Sequence, residues 1–204
     1  MGNIRPMTEP SRPNAILTAA TEVIAEHGVR GLRVEEVAKR SGVGVSLLYY
    51  YFDSRAGLLE ATLDFVSDRA VGSIRRTADG EHLAFETLQR ALLDEIGSTE
   101  ADRKHCVVWS ELTASAVFDP ALREKVAKSS EQWTQAIADL IRAGQADGSV
   151  HSQLDVREEA DLVTSLVEGV IVRWLTGSIT RPGARRLLTD FVTTRFAATA
   201  DHSG

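Results

Sequence analysis

Of all segments in this chain, residues 34–55 have the residue types and spacing that best suit a chemical function. The segment reads as two short helices joined by a turn at Gly42, and the second helix carries three consecutive tyrosines at positions 49–51. A helix of about two turns is not stable alone, so we infer that its use lies in the side chains it presents. A helix held out from a small helical platform fits the major groove of DNA, as in a helix-turn-helix.

Contacts with phosphate and contacts with bases are expected from different side chains of this segment. Phosphate contacts fix position, whereas sequence is read at the base edges. The candidate phosphate contacts are Arg33, Arg55 and the tyrosine hydroxyls. Ser46 can hydrogen-bond any base, and the apolar Val45 and Leu47 suit thymine methyl groups. Because the helix lacks Arg, Asn and Gln, we expect modest direct readout, helped by DNA shape and by Arg5 or Arg12.

Several of these residues also have a structural interpretation. Leu48 is expected in the core, and Tyr51 is expected to pack rather than to contact DNA. Tyr49 and Tyr50 are expected to face outward, because two phenols buried in so small a domain would leave hydroxyl groups without partners. Arg55 could be an ordinary solvated residue at the start of a helix, although a cation gains nothing from the helix dipole there.

The composition of the 204 residues, 43% apolar and 25% charged, is typical of a soluble globular protein. The single cysteine, Cys106, excludes an intrachain disulfide and favours a reducing compartment. We find neither a signal peptide nor an apolar run long enough to cross a membrane, and we expect a cytoplasmic protein. The net charge of −6 arises beyond residue 60, because residues 1–60 contain seven basic and seven acidic groups.

Apolar residues recur at helical spacing along most of the chain, and no strand pattern is present. Turn and capping residues divide the chain into about nine helices, which predicts an all-α fold. The predicted helices cover residues 13–27, 34–40, 45–51, 55–76, 81–97, 102–118, 120–146 and 155–175, with a final helix from Pro182.

The motifs of the first sixty residues resemble those of the TetR family of bacterial repressors. The resemblance covers residues 13–62 and is carried by His27-Gly28, Val34-Glu-Glu-Val-Ala, Ser41-Gly42-Val43, Leu48-Tyr-Tyr-Tyr-Phe52, Arg55 and Leu58-Leu59. Later segments look like the ligand-binding and dimerisation domain of that family, in its choline-operon repressor subgroup: Trp109-Ser-Glu-Leu, Asp119-Pro120, Gly144-Gln-Ala-Asp-Gly148 and Glu168-Gly-Val-Ile-Val-Arg-Trp174.

The resemblance implies a homodimer whose two N-terminal heads bind a palindromic operator in double-stranded DNA. A small molecule in the C-terminal domain would spread or lock the heads. The implied division is a flexible arm over residues 1–12, a helix-turn-helix domain over 13–60, and a helical ligand-binding and dimerisation domain over 61–204.

By position in the motif, Tyr49 and Tyr50 match family tyrosines that contact phosphate or groove edges, and Arg55 matches the usual lysine that contacts phosphate. The family reads bases with the start of the second helix, here Gly44, Val45, Ser46 and Leu47. Two positions depart from the pattern. Gly44, before the second helix of the segment, stands where serine is common. Arg33 stands where Ser or Thr usually caps the first helix. A capping contribution of about 1 kcal/mol is therefore missing at each position, and less where glycine is the substitute.

Aromatic residues of the C-terminal part could converge on a ligand cavity, or they could simply form the core. An aromatic box with a carboxylate would suit a cation. The candidate ligand-binding residues are His105, Trp109, Phe118, Trp133, Glu168 and Trp174, with Cys106 and Glu111 as possible further polar groups. The candidate dimer-interface residues are Leu166, Gly169, Val170, Arg173, Leu187 and Phe191.

The sequence gives little support for enzyme chemistry. The five histidines show no HExxH-like spacing, and we predict neither a metal site nor a cofactor. The adjacent Glu35 and Glu36 point about 100° apart on a helix and cannot act as a carboxylate pair. The alternative to a regulator is an all-α small-molecule-binding protein or enzyme in which the N-terminal head is only structural.

Overall fold

The structure is a computed structural model that describes residues 11–78 and 82–198, with the backbone alone over 75–78. The described residues form nine α-helices, and a single 3-10 turn, Val29–Gly31, follows the first of them. The helices are α1 Arg12–His27, α2 Val34–Ser41, α3 Val45–Phe52, α4 Arg55–Ala78, α5 Ala84–Glu95, α6 Glu100–Ala116, α7 Pro120–Asp147, α8 Val156–Leu175 and α9 Arg181–Phe196. The all-α prediction is therefore confirmed.

Most helix boundaries follow the capping residues of the sequence. Gly42 ends α2 in the left-handed conformation with φ 71°, and the Asp155 side chain accepts hydrogen bonds from the first turn of α8. The predicted start of α6 at residue 102 was wrong. Thr99 and Asp102 form a reciprocal capping box, so the helix begins at Glu100.

The N-terminal head, residues 12–52, packs α1, α2 and α3 around a small apolar core. Its buried residues include Ile16, Val23, Val37 and Leu48. The same cluster continues through Leu63 of α4 into Val108 and Leu112 of α6 and Leu122 of α7. The chain division predicted at residue 60 stays a prediction, because α4 and α6 complete the core of the head.

A second apolar cluster holds the C-terminal part together. It contains the buried faces of α5, α7, α8 and α9, including Leu92, Ile137, Val163, Leu188 and Phe196. An isolated antiparallel bridge between Val150 and Ala197 ties the end of α9 to the loop after α7. Helices α4 and α6 run between the two clusters and contact both.

The predicted N-terminal arm lies largely outside the described residues, and so does Arg5. Arg12 is the first residue of α1, which therefore begins one position earlier than predicted. Over the described parts of the chain, no helix is long and apolar enough to cross a membrane.

Candidate nucleic-acid interface and ligand cavity

Helix α3 presents a polar aromatic face to solvent. Leu48 points inward and is fully buried, whereas the neighbouring Tyr50 is 78% exposed and Tyr49 is 41% exposed. Tyr51, expected to pack, is 38% exposed and makes an edge contact with the Tyr50 ring at 5.4 Å between centroids. Because Leu48 anchors the helix through its opposite side, the phenols stand free for an external partner.

The start of α3 is more enclosed than the sequence suggested. Ser46 and the N-cap residue Gly44 are exposed. Val45 and Leu47 are half-buried, and Val45 packs against the apolar core of the head. The interpretation of Val45 as a freely displayed apolar tip is corrected, because a helix of eight residues needs part of its first turn for packing.

The two unusual capping positions are confirmed as caps. Gly44 precedes α3 and has no side chain to cap it, and Arg33 precedes α2 with an extended backbone. The exposed Arg33 side chain makes no capping hydrogen bond with any described residue. The role of Arg33 in phosphate binding stays a prediction, and its exposure is compatible with that role.

Arg55 contacts the protein itself. Its Nε donates to the carbonyl oxygen of Leu32 at 2.9 Å, and its NH2 group donates to the carbonyl oxygen of Val29. The guanidinium therefore ties the start of α4 to the 3-10 turn, a structural role that the sequence analysis did not include. These hydrogen bonds do not test the phosphate contact predicted for Arg55, but they occupy its Nε and one of its terminal nitrogens.

A cavity of about 50 Å³ lies between α4, α5, α6, α7 and α8. Trp109 of α6 and Trp133 of α7 provide its aromatic surface, and carboxylates come from Glu95 and Glu168. The other lining residues are apolar or small and polar: Val66, Ser67, Ala70, His105, Cys106, Ser129, Ser130, Thr164, Val167 and Ile171. Among the described residues, no lysine or arginine lines this cavity.

Each carboxylate of the cavity pairs with an indole. The Trp133 Nε1–H group donates to Glu95 Oε1 at 3.3 Å, and the Trp109 indole donates to Glu168. Burial raises the pKa of Glu95 to about 7, although the hydrogen bond from Trp133 acts in the opposite direction. Burial also raises the pKa of Glu168. A cation bound beside either group would favour its ionised form and so act against the effect of burial on its pKa.

Burial makes the two neighbouring titratable groups of α6 neutral. Burial and the nearby Arg69 guanidinium lower the pKa of His105 to about 4. Burial, together with Glu95, raises the pKa of the Cys106 thiol to about 12. The carboxylates of Glu95 and Glu168 are therefore the groups of this cavity that can carry charge near neutral pH.

The structure brings together four of the six predicted ligand-binding residues: His105, Trp109, Trp133 and Glu168. The other two are corrections. Phe118 lies at the end of α6 with 85% of its surface exposed, and Trp174 packs against the second apolar cluster, outside the cavity lining. Helical spacing showed which residues share a face of a helix, but it did not show which way that face points in the folded chain.

Sequence reasoning missed Glu95, although it lines the cavity. A signal was present, because Leu88, Leu92, Glu95 and Ile96 follow the spacing of one buried helix face, where a carboxylate is unusual. Glu111 was assigned to the cavity as a polar group. Its Oε2 atom instead accepts a hydrogen bond from the Val29 backbone N–H at 3.1 Å, so it joins α6 to the head.

Two family models match the chain. The model of the bacterial regulatory proteins of the TetR family matches residues 16–62. The model of the BetI-type transcriptional repressor C-terminal domain matches residues 84–197, more than half of the chain. The chain belongs to the TetR family. As a member of this family it is a DNA-binding transcriptional regulator and not an enzyme.

Relatives of this TetR-family regulator match it along almost its whole length. A TetR-family regulator from Rhodococcus sp. is 39% identical, covers 92% of this chain and 98% of its own, and superposes with a TM-score of 0.84. A transcriptional regulator from Saccharomonospora viridis, solved in complex with choline, is 24% identical with a TM-score of 0.77 and the same coverage, which shows the shared fold. The regulator BetI of Ectopseudomonas mendocina is 25% identical over 90% of this chain and 93% of its own.

The predicted dimer-interface residues of this TetR-family protein do not all reach the surface. Leu187 is 49% exposed, and Gly169 and Arg173 are also exposed. Leu166 and Phe191 are half-buried. Val170 is a correction, because it is buried inside the chain with 3% exposure. Leu162 and Val172 of α8, which were not among the predicted interface residues, are 46% and 49% exposed.

Proposed function

We propose that this protein is a homodimeric repressor that binds a palindromic operator and is released from it by a small organic cation. The exposed phenols of α3 carry the operator-binding part of the proposal. Tyr49 and Tyr50 are surface residues of a short helix whose other side is anchored by Leu48. Such a helix can enter a major groove, with phosphates contacted by the tyrosines, Arg33 and helix N-terminal amides.

A palindromic operator requires two heads related by twofold symmetry. The C-terminal helices offer a surface for this association, because α8 and α9 expose large apolar side chains at Leu162, Val172 and Leu187. We propose that these residues, with Leu166, Gly169, Arg173 and Phe191, form the interface with a second copy. Light scattering on the purified protein should give twice the chain mass, and Val172→Glu with Leu187→Glu should give the chain mass.

A gel-shift experiment with the DNA upstream of the protein's own gene tests the repressor function. We expect binding that weakens steeply with salt, because lysine and arginine side chains replace counterions on the phosphates. Tyr50→Ala should abolish the specific complex. Absence of any complex at low salt would support the alternative, in which the head is only structural. A repressor that acts on DNA is expected in the cytoplasm.

The effector cavity favours a cation for electrostatic reasons. Its lining contains two indoles and two carboxylates, and none of the described lining residues is a lysine or an arginine. An alkylated ammonium can lie against an indole face while a carboxylate balances its charge, which is worth about 0.5–2 kcal/mol per aromatic contact. The choline found in the S. viridis regulator has this chemistry.

Helix α6 connects such a ligand to the DNA-binding head. His105, Cys106 and Trp109 line the cavity. Val108 and Leu112, on another side of the same helix, belong to the core of the head. A ligand that shifts α6 therefore also shifts residues of α6 that belong to the core of the head. An allosteric response requires such a difference in contacts between two states.

Tryptophan fluorescence can test the cation proposal. Because Trp174 lies outside the cavity, a Trp174→Phe background leaves Trp109 and Trp133 as reporters. Choline and tetramethylammonium should change this fluorescence, and the uncharged carbon isostere of choline should bind at least about tenfold more weakly. Equal affinity for choline and its uncharged isostere would contradict the proposal. The choline affinity should also rise as the pH increases through about 7, because Glu95 must lose its proton to pair with the cation.

A further inference from the structure

A second, polar cavity adjoins the first. It has a volume of about 370 Å³ and lies between α4, α6, α9 and the end of α5. The two cavities share the wall residues Ala70, Glu95, His105 and Cys106. The two cavities therefore meet at these four residues, with Glu95 and His105 between them.

Three arginines line the second cavity. Arg181 Nε donates to the carbonyl oxygen of Gly97 at 2.7 Å, and Arg185 donates to the carbonyl oxygens of Leu93 and Ile96. These hydrogen bonds cap the end of α5, and all their acceptors are neutral carbonyl oxygens. Within residues 11–78 and 82–198, neither Arg181 nor Arg185 pairs with a carboxylate.

The third arginine is Arg69 of α4, whose side chain is 57% exposed. Its ion pair with Asp102 Oδ1 is long, at 3.8 Å. The other oxygen of Asp102 is already used, because it accepts hydrogen bonds from the backbone and the hydroxyl of Thr99 at the start of α6. Arg69 is therefore available to an anion that enters this cavity.

The remaining acids of the second cavity oppose an anion only weakly. Asp94 is exposed at its rim, and Glu95 lies in the shared wall. Near neutral pH part of the Glu95 population is protonated, and an ammonium group in the first cavity would pair with the rest. The neutral His105 between the two cavities adds no repulsion for a cation on one side or an anion on the other.

We propose that the effector is a zwitterion whose alkylated ammonium lies between Trp109 and Trp133 and whose anionic end reaches Arg69 in the second cavity. This inference rests on the proposed function of the first cavity as a cation site. The anionic group is a carboxylate or a phosphate, and Arg185 and Arg181 provide further positive charge beyond Arg69.

Matched ligand pairs test the inference. The trimethylammonium derivatives of butyric acid and of butanol have the same four-carbon chain and the same ammonium group. They differ only at the other end, which is a carboxylate in the acid and a hydroxyl in the alcohol. We expect the acid to bind wild-type protein at least about tenfold more tightly than the alcohol, and phosphocholine to bind more tightly than choline. In Arg69→Met the preference for the acid over the alcohol should fall to about twofold or less, while the affinity for the alcohol stays unchanged.

Control variants separate this inference from the proposed function. Arg142→Met removes an equally exposed arginine outside both cavities and should keep the full preference for the acid. If the alcohol and choline bind but the acids bind no better, the zwitterion inference is overturned and the cation site stands. If Arg69→Met keeps the preference, the assignment of Arg69 is overturned. If no trimethylammonium compound binds, the cation site and the inference both fail.

Discussion

The head and the effector cavity are built in different ways from the same chain. The groups that the head presents come from one helix of eight residues, α3, and from Arg33, the residue before α2. The groups of the cavity come from five helices and from positions between Val66 and Ile171. Local sequence therefore specifies the head, whereas the cavity exists only after long-range packing.

The two regions also use burial in opposite ways. In the head, the chemically useful phenols are exposed and the neighbouring Leu48 is buried. In the cavity, Glu95 and His105 are partly buried, and burial shifts their pKa values in opposite directions. A surface that meets DNA depends on accessible charge and hydrogen-bonding groups, while a cavity gains its selectivity from the cost of burying charge.

Neighbouring residues of α3 give the largest expected contrast. Leu48→Ala should lower the free energy of unfolding by about 3 kcal/mol, because a fully buried leucine leaves a cavity in the small core of the head. Tyr50→Ala should change it by no more than about 0.5 kcal/mol and still prevent operator binding. Denaturant unfolding and gel shift on both variants measure the two effects. A large loss of stability in Tyr50→Ala would contradict the display of this phenol.

The buried carboxylate of the cavity should make stability depend on pH. Between the ordinary glutamate pKa and about 7, the folded protein holds a proton on Glu95 that the unfolded chain has lost, so stability falls as pH rises through this window. Glu95→Gln removes this effect. Relative to that variant, the wild type should lose on the order of 2 kcal/mol of unfolding free energy between about pH 5 and pH 8, as measured by urea unfolding.

An unchanged stability difference between wild type and Glu95→Gln across that pH range would contradict the raised pKa. The comparison with the variant is needed because His105 acts in the opposite sense. Its lowered pKa makes the wild type lose stability as pH falls below about 6.5, and this loss is common to both proteins.

The hydrogen bond between Glu111 and the head should couple the two regions. Glu111→Ala leaves the Val29 N–H group without its acceptor and should lower the free energy of unfolding by about 1–2 kcal/mol. It should also reduce the amount of operator complex that choline dissociates. Glu124→Ala, at an exposed position of α7, is the matched control. If both variants respond to choline as wild type does, Glu111 has no part in the coupling.

The smallest expected effects distinguish two arginines of the head. Arg55→Ala removes two hydrogen bonds to backbone carbonyls and should lower the free energy of unfolding by about 1 kcal/mol, with little change in the salt dependence of DNA binding. Arg33→Ala should keep stability and reduce the slope of log affinity against log salt by roughly one. The reverse result would show that Arg55 is the phosphate contact.

The elements of the head were predictable because each one has a signal within a few residues. Gly42 indicates the left-handed turn, and the side-chain oxygen of Ser54 caps the start of α4 by accepting a hydrogen bond from the Gly57 N–H group. The alternation of buried and exposed residues around Leu48 follows from helical periodicity alone. What the local pattern did not give was the partial burial of Val45, which depends on how closely α3 packs on the rest of the head.

The cavity was predicted only in part. Residue type indicated Trp109, Trp133, His105 and Glu168 correctly as members of one cavity. The same reasoning included Phe118, which lies beyond the cavity at the end of α6, and it missed Glu95. Residue type shows what a side chain can bind, but the rotation of each helix about its axis decides which side chains meet.

Local sequence patterns were enough to predict the helical fold, most helix boundaries and the outward face of α3. These depend on interactions within a few residues: hydrogen bonds along the helix, capping groups and the spacing of apolar side chains. Long-range packing sets the partners of Arg55 and Glu111, the raised pKa of Glu95 and the contact between a cavity with two carboxylates and no described basic residue and a cavity that three arginines line. These depend on distances between helices far apart in the chain, which only the packing of two apolar clusters sets.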